Sequence, residues 1–158
     1  EELEEMARQN GVTLSVQNAT HQRRSKMINY SFWQNLSACE QDPNTVAARK
    51  AVFAGKKAYG DGDISDRIDK NGDLQISTAQ ALFEEAIARM QTMFDLYPDT
   101  RGHDDKILDA MLAVHYWQDI HKSNGKEPNP DHPLAEFVAS HPQYQGEVRM
   151  MFQRETVN

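Results

Sequence analysis

Cysteine is nearly absent from this chain. Cys39 is the only one in 158 residues, which excludes an internal disulfide framework and a cysteine-built zinc site. Branched and aromatic core formers are scarce. Leu, Ile, Val and Phe together make 30 of the 158 residues, and with a formal charge of −7 that borders on the composition of disordered chains. Long apolar runs are missing. No window approaches the roughly 18 apolar residues of a membrane helix, so a transmembrane span is excluded. Positive charge is in deficit, 17 Lys and Arg against 24 Asp and Glu, and the pI near 5.3 argues against nucleic acid as the main partner. There is no Gly-x-Ser-x-Gly elbow and no glycine-rich phosphate loop. Neither an initiator Met nor a signal-peptide pattern is seen, so the sequence reads as a mature form or an excised piece.

Seven Met, two Trp, five Tyr and sixteen Ala compensate. They suit a helical core packed with flexible Met and small Ala. The acidic opening Glu1 to Met6 is helix-prone and is ended by Asn10-Gly11. Val12 to Val16 alternates apolar and polar, as a short strand or an extended linker would. Thr20 caps an expected helix to about Cys39, with Met27, Tyr30 or Ser31, and Gln34 on one face and Phe32, Trp33 and Leu36 beside it. Asp42-Pro43 starts the next helix, carrying Val46, Ala47, Val52, Phe53, Ala54 and Ala58 and stopping at Gly60.

After an acidic segment comes the clearest helix. Leu82, Phe83, Ala86, Ile87, Met90, Met93, Phe94 and Tyr97 follow helical spacing from Thr78, and Pro98 stops it. Another helix is expected from Asp104 to Lys122, capped by Thr100 or Asp104 and ended by Gly125. The proline-rich 126–133 segment is loop, and two short helices come after it, Leu134 to Ser140 and Pro142 to Glu155. The expected architecture is an all-α bundle of about six helices in a single domain over 1–158. Phe83, Ile87, Met90 and Phe94 should pack on Ile107, Met111 and Val114 across a short connection that makes the two helices antiparallel. Met90, Met93, Met111, Met150 and Met151 read as core, or as an adaptable groove for a partner helix.

From Gly60 to Asp73 there are five Asp and three Gly in fourteen residues. Within it, Asp69, Asn71 and Asp73 put oxygen-bearing side chains at every second position, which a tight loop can turn around a hard cation. Calcium takes six to eight oxygens in a flexible cage. Gln75 would add its backbone carbonyl, Ser77 a hydroxyl or a bridging water, and Gln80 would close the cage from one turn into the next helix. Ile76 would point back into the core. The same residues admit a metal-free reading: Ser77 and Gln80 have capping-box spacing, and Asp, Asn and Gly form turns in any protein.

At these residues the chain resembles the EF-hand superfamily. The match is to its twelve-residue loop, Asp69 first and Gln80 last, with Asn71, Asp73, Ile76 and Ser77 agreeing, and it covers about thirty residues including the exiting helix. The resemblance implies a helix–loop–helix holding Ca²⁺. Two positions depart: Leu74 stands where the family has Gly, and Gln80, with one uncharged oxygen, where it has a bidentate Glu. Gly60 and Gly62 leave room only for a short entering helix, about Ile64 to Ile68. Gly60-Asp61-Gly62-Asp63-Ile64-Ser65 reads like half of a second such loop, whose remnant would pair at Ile64 with Ile76.

Elsewhere the chemistry is thin. Of the second half's five His, His103 precedes Asp104-Asp105 like the His-Asp pair of metal phosphohydrolases, without the further ligands such a site needs. His115 reads as a core histidine, His121 as a helix C-terminal cation, and Cys39 has no His nearby in sequence. No complete catalytic set is present, so an enzyme is not expected. The basic clusters Arg23-Arg24-Lys26, Arg49-Lys50 and Lys56-Lys57 read as solvated faces that could dock an acidic partner. Two functions remain: a calcium-binding helical domain, structural or regulatory, or a helical protein-interaction module of a secreted or multi-protein bacterial assembly with a vestigial loop. Another protein is the expected partner. With two carboxylates and a neutral closing ligand, the calcium affinity should be roughly 10⁻⁴ to 10⁻³ M, which favours an extracellular or periplasmic setting.

Overall fold

The computed structural model describes residues 30–157. The expected helix at Glu1 to Met6, the Val12 to Val16 segment and the Thr20 cap lie outside the described residues. The chain divides into two units, residues 1–37 and 38–158, with the boundary inside the first helix, α1 (Tyr30–Gln41). In the first unit, Phe32 and Trp33 meet edge to face at 5.8 Å. The second unit carries the rest: α2 (Pro43–Gly60), α3 (Thr78–Leu96), α4 (Asp104–Ser123), α5 (Ala135–Ala139) and α6 (Gln145–Thr156), with short 3₁₀ turns at Pro98–Gly102 and Pro142–Tyr144. The architecture is all-α, with six α-helices among the described residues. None of these helices is long and apolar enough to cross a membrane.

Asp42 begins α2 as the sequence suggests. Its carboxylate accepts the Asn44 N–H at 2.7 Å, and Pro43 occupies the first turn, where no N–H is needed. The buried face of α2 is not made of its large residues. Thr45, Ala48, Ala51 and Gly55 point inward, while Phe53 is 76% exposed and Val46 also faces out. The reason is close approach: a Cβ added at Gly55 would lie 3.1 Å from the Phe83 ring. Small residues at helical spacing let α2 sit tightly on α3.

Helix α3 presents the expected stripe. Phe83, Ala86, Ile87, Met90, Met93 and Phe94 are all buried. Helix α4 is central and is buried on nearly every side, including Ile107, Met111, Val114, Tyr116, Trp117 and Ile120. The two run antiparallel, since Phe83 near the start of α3 stacks on Tyr116 near the end of α4, with ring centroids 5.0 Å apart. Neither Thr100 nor Asp104 caps α4. Thr100 Oγ1 donates to the Tyr97 carbonyl at 2.7 Å, and the Asp104 carboxylate accepts the Tyr144 hydroxyl. His103 holds the cap position without a side-chain cap bond.

Helix α6 closes the unit over α4. Glu155 accepts the Tyr116 hydroxyl at 2.8 Å and Lys56 Nζ at 2.9 Å, and Phe152 sits edge-on against Tyr59 and Tyr116. Burial and the neighbouring carboxylates push the Tyr59 and Tyr116 hydroxyls well above the usual tyrosine range. Met90, Met93 and Met111 join the core, but Met150 is exposed and Met151 only partly buried, because α6 contributes a single fully buried residue, Val148.

Between α2 and α3 the expected entering helix, Ile64 to Ile68, does not form. Gly62 takes a φ of +79°, and the chain turns instead of continuing helically. Beyond the turn the backbone forms a small antiparallel hairpin, β1 (Arg67–Ile68) and β2 (Leu74–Gln75), with Arg67 opposite Gln75 and Ile68 opposite Leu74. The connection is thus helix–hairpin–helix.

Candidate functional site

The hairpin apex carries three of the sequence-derived ligands. Asp69 folds the turn: its Oδ1 accepts the backbone N–H of Asn71 at 2.8 Å and of Asp73 at 3.0 Å. Its own N–H donates to the Asp73 carbonyl at 2.9 Å, and its carbonyl accepts from Gly72. Gly72 sits at φ +88°, a conformation that favours glycine and lets the chain reverse there. The N–H groups of Asp73 and Asn71 hold the Asp69 carboxyl below the usual carboxylate range. Asn71 and Asp73 are exposed. The apex therefore gathers Asp69, Asn71 and Asp73 on one tight turn.

The remaining three residues of the expected set sit differently. Because Asp69 and Asp73 form a hydrogen-bonded pair, the alternation of an antiparallel ladder makes Arg67 and Gln75 the next one. The Gln75 carbonyl therefore faces Arg67 across the ladder. Ser77 is buried and caps α3, its Oγ accepting the Gln80 N–H at 3.2 Å. Gln80 is 5% exposed. Its side chain does not reach back to the cap. It donates from Nε2 to Glu84 Oε1 at 2.8 Å, the same oxygen that takes Trp117 Nε1 at 3.3 Å. Among the described residues, Gln80 Oε1 is left buried with no hydrogen-bond partner. Exchanging the amide's two ends would set oxygen against the Glu84 carboxylate, so the orphan stays an oxygen. Among the described residues, no group of three or more His, Cys, Asp or Glu converges as a metal cluster.

Ile76 departs from its expected place: it is 41% exposed, because β2 ends at Gln75 and the inward turn is made by Ser77. Ile64 does pack against the core, yet the two do not pair. The cross-strand apolar pair is Ile68 with Leu74, both exposed.

The sequence reading missed the groups that hold the hairpin to the bundle. Asn124, the C-cap residue of α4, accepts the Asp66 N–H at 3.1 Å and donates to the Ile64 carbonyl at 2.7 Å and the Ile120 carbonyl at 3.0 Å. Asp66 in turn accepts the Ser77 N–H at 3.1 Å through one oxygen and pairs with Lys126 through the other. One asparagine and one aspartate thus tie α4, the hairpin base and the start of α3 together. The local signal was Asn124-Gly125 as a helix terminator, with Gly125 at φ +67°. Partners 58 and 60 residues away leave no local trace.

This anchor makes stability depend on acid. Lys126, assisted by the Ser77 N–H and opposed by burial, holds the Asp66 carboxyl below its usual range. A carboxylate with a depressed folded pKa contributes stability above its unfolded pKa of about 3.9 and loses it as pH falls through the folded value. Thermal melts of Asp66→Asn should therefore show a smaller fall in Tm between about pH 6 and pH 3 than the parent chain. Equal slopes would mean that Asp66 titrates as a free carboxyl.

Cys39 is buried, its Sγ 3.7 Å from Thr45 Oγ1. His121 bonds the Trp117 carbonyl through Nδ1 at 2.9 Å. Burial draws the His115 and His132 imidazoles below the usual histidine range. No protein-family model, no curated protein and no solved structure matches the chain.

Proposed function

We propose that this chain is a calcium-binding helical domain in which the ion serves locally, fixing the 69–80 segment against α3. The observation that carries the reading is the buried, unpartnered Oε1 of Gln80. An oxygen left unsatisfied in the interior costs about 1–3 kcal/mol, and it belongs to the residue that closes the cage in the sequence pattern. The backbone-organised apex supports the same reading, because Asp69, Asn71 and Asp73 are held together before any ion arrives. Asp69, Asn71 and Asp73 would give side-chain oxygens and Ser77, Gln80 or waters the remainder; the Gln75 carbonyl, turned to Arg67 in the ladder, would join only where that pairing opens. Ser77 already caps α3, which favours a water at that position. Such a site belongs outside the cytosol, where calcium is plentiful.

Calorimetry and melting test this directly. With a Kd of roughly 10⁻⁴ to 10⁻³ M, 10 mM calcium should raise stability by about 1–3 kcal/mol. Magnesium should compete poorly, because it demands octahedral geometry and keeps its waters. Asp69→Ala should abolish the calcium-dependent rise in Tm, and Gln80→Glu should enlarge it. Absence of binding at several millimolar in a folded sample would end this reading.

A second reading, a helical protein-interaction module with a vestigial loop, is favoured by the apolar side of the hairpin. Ile68, Leu74 and Ile76 are all exposed within nine residues. Under that reading calcium leaves Tm unchanged, and charged substitutions at Ile68 and Leu74 alter partner binding without unfolding the chain.

A further inference from the structure

A cleft of about 610 Å³ opens between α3, the 3₁₀ turn that follows it and the 131–141 segment that includes α5. Its wall is built from rings. Phe137 stacks on the buried Phe94 with centroids 4.4 Å apart and meets the His141 ring at 4.6 Å. His141 is fixed in turn, its Nδ1 within hydrogen-bond reach of the Phe137 carbonyl at 2.8 Å and of Ser140 Oγ at 3.0 Å. Phe137, His141 and His132 are each only half-buried, so part of every ring stays open along the cleft. His132 adds an uncharged face. Its ring lies 5.3 Å from Trp117, its Nδ1 is buried with no hydrogen-bond partner among the described residues, and burial holds the imidazole below the usual histidine range.

The charge left over on this cleft has one sign. Among the described residues, Arg101 is the only Lys or Arg that lines it, and Arg101 is committed elsewhere: one guanidinium nitrogen donates to Asp95 at 2.9 Å and Nε donates to the Phe94 carbonyl at 3.3 Å. Asp131 and Glu136 line the same cleft, both exposed, and no cation there answers them. An ammonium group is drawn to both features at once, to the carboxylates by charge and to the ring faces by their quadrupole. An anion would meet Asp131 and Glu136 with like charge. A neutral apolar body would gain the rings but strip water from the carboxylates without replacing it.

We infer that this cleft binds a small aromatic amine in its ammonium form, with its ring against Phe137 and His141 and its charge toward Asp131 and Glu136. The volume lies within the range of small-ligand pockets, and a wall of rings with a few polar groups is the composition such pockets have. The ring requirement comes from Phe137 and His141, and the charge requirement from the two carboxylates. The site shares no residue with the hairpin and is independent of the calcium reading.

NMR titration of the full chain with 2-phenylethylamine at neutral pH tests it. Saturable shifts are expected at the Ala135 methyl group and at the Phe137, Ser140 and His141 amides, with a Kd in the millimolar range. 2-Phenylethanol, which lacks the charge, and butylamine, which has a lysine-like chain in place of the ring, should each bind about tenfold more weakly. 3-Phenylpropionate, with the ring and the opposite charge, should be weaker still. The Asp131→Asn, Glu136→Gln double variant alters only exposed side chains, so it should keep its Tm and its weak phenylethanol binding while losing about tenfold in amine affinity. Equal affinity for the amine and the alcohol, equal affinity for phenylethylamine and butylamine, an unchanged amine affinity in the double variant, or shifts confined to another part of the molecule would overturn the inference.

Discussion

Truncating Phe83 to alanine is expected to destabilise the protein by about 3–5 kcal/mol, the range for a fully buried aromatic. The ring is completely buried and lies where three helices meet. One edge abuts Gly55 of α2, and one face stacks on Tyr116 of α4 at an interplanar angle of 8°. Removing it leaves a void that none of the three helices can fill by rotamer change, because Gly55 has no side chain to offer. The lost aromatic pair adds about 0.5–1.5 kcal/mol beyond the area term. Urea denaturation should show a lower midpoint with an unchanged slope, and Tm should fall by about 10 °C for a domain of this size. A fall of less than about 1 kcal/mol would mean that Phe83 does not fill this junction. Replacing Gly55 by a larger residue such as Leu should harm from the other side, by driving into the same ring.

Asn124→Ala is expected to cost about 2–4 kcal/mol, because it strips partners from groups that cannot easily regain them. The Ile64 carbonyl and the Asp66 N–H each lose the only hydrogen-bond partner seen for them among the described residues. Removal also frees the hairpin base from the end of α4, so the effect should be local as well as global. Amide hydrogen exchange should quicken across residues 64–75 well before α3 or α4 loses protection. Because Asp66 joins the same network through Ser77 and Lys126, the Asp66→Ala, Asn124→Ala double variant should cost less than the two single variants added together. Additive costs, or exchange unchanged in the hairpin, would show that the two residues do not form one anchor.

Much of the helical framework was legible along the chain because its signals are local. Proline after Asp42, the stripe from Phe83 to Phe94, and Pro98 each act within a turn or two of backbone, and the helices begin and end where those residues stand. The inward set of α3 and its packing against Ile107, Met111 and Val114 came from 3.6-residue periodicity and a short connection. The acidic segment was less transparent. Its alternating oxygens do cluster at a tight turn, but the residues before Asp69 form a strand where a short helix was expected, and Ile76 faces outward. Isoleucine at positions 64 and 68 suits either conformation, and the decision came from Gly62 and from pairing with Leu74 and Gln75.

By itself, then, the sequence determined an all-α unit, the bounds of its long helices, the apolar stripe of α3 and the position of the one acidic turn. These are consequences of backbone propensity and period, which act over a few residues. Tertiary structure alone decided three things. The inner face of α2 is its small residues rather than Phe53, since close packing on Phe83 rewards a missing side chain. The Gln80 amide turned to Glu84 and left its oxygen orphaned, since Trp117 from another helix fixes that carboxylate. The hairpin hangs on Asn124 and Lys126, roughly sixty residues further along the chain, since a terminal helix cap can satisfy whatever backbone the fold delivers to it.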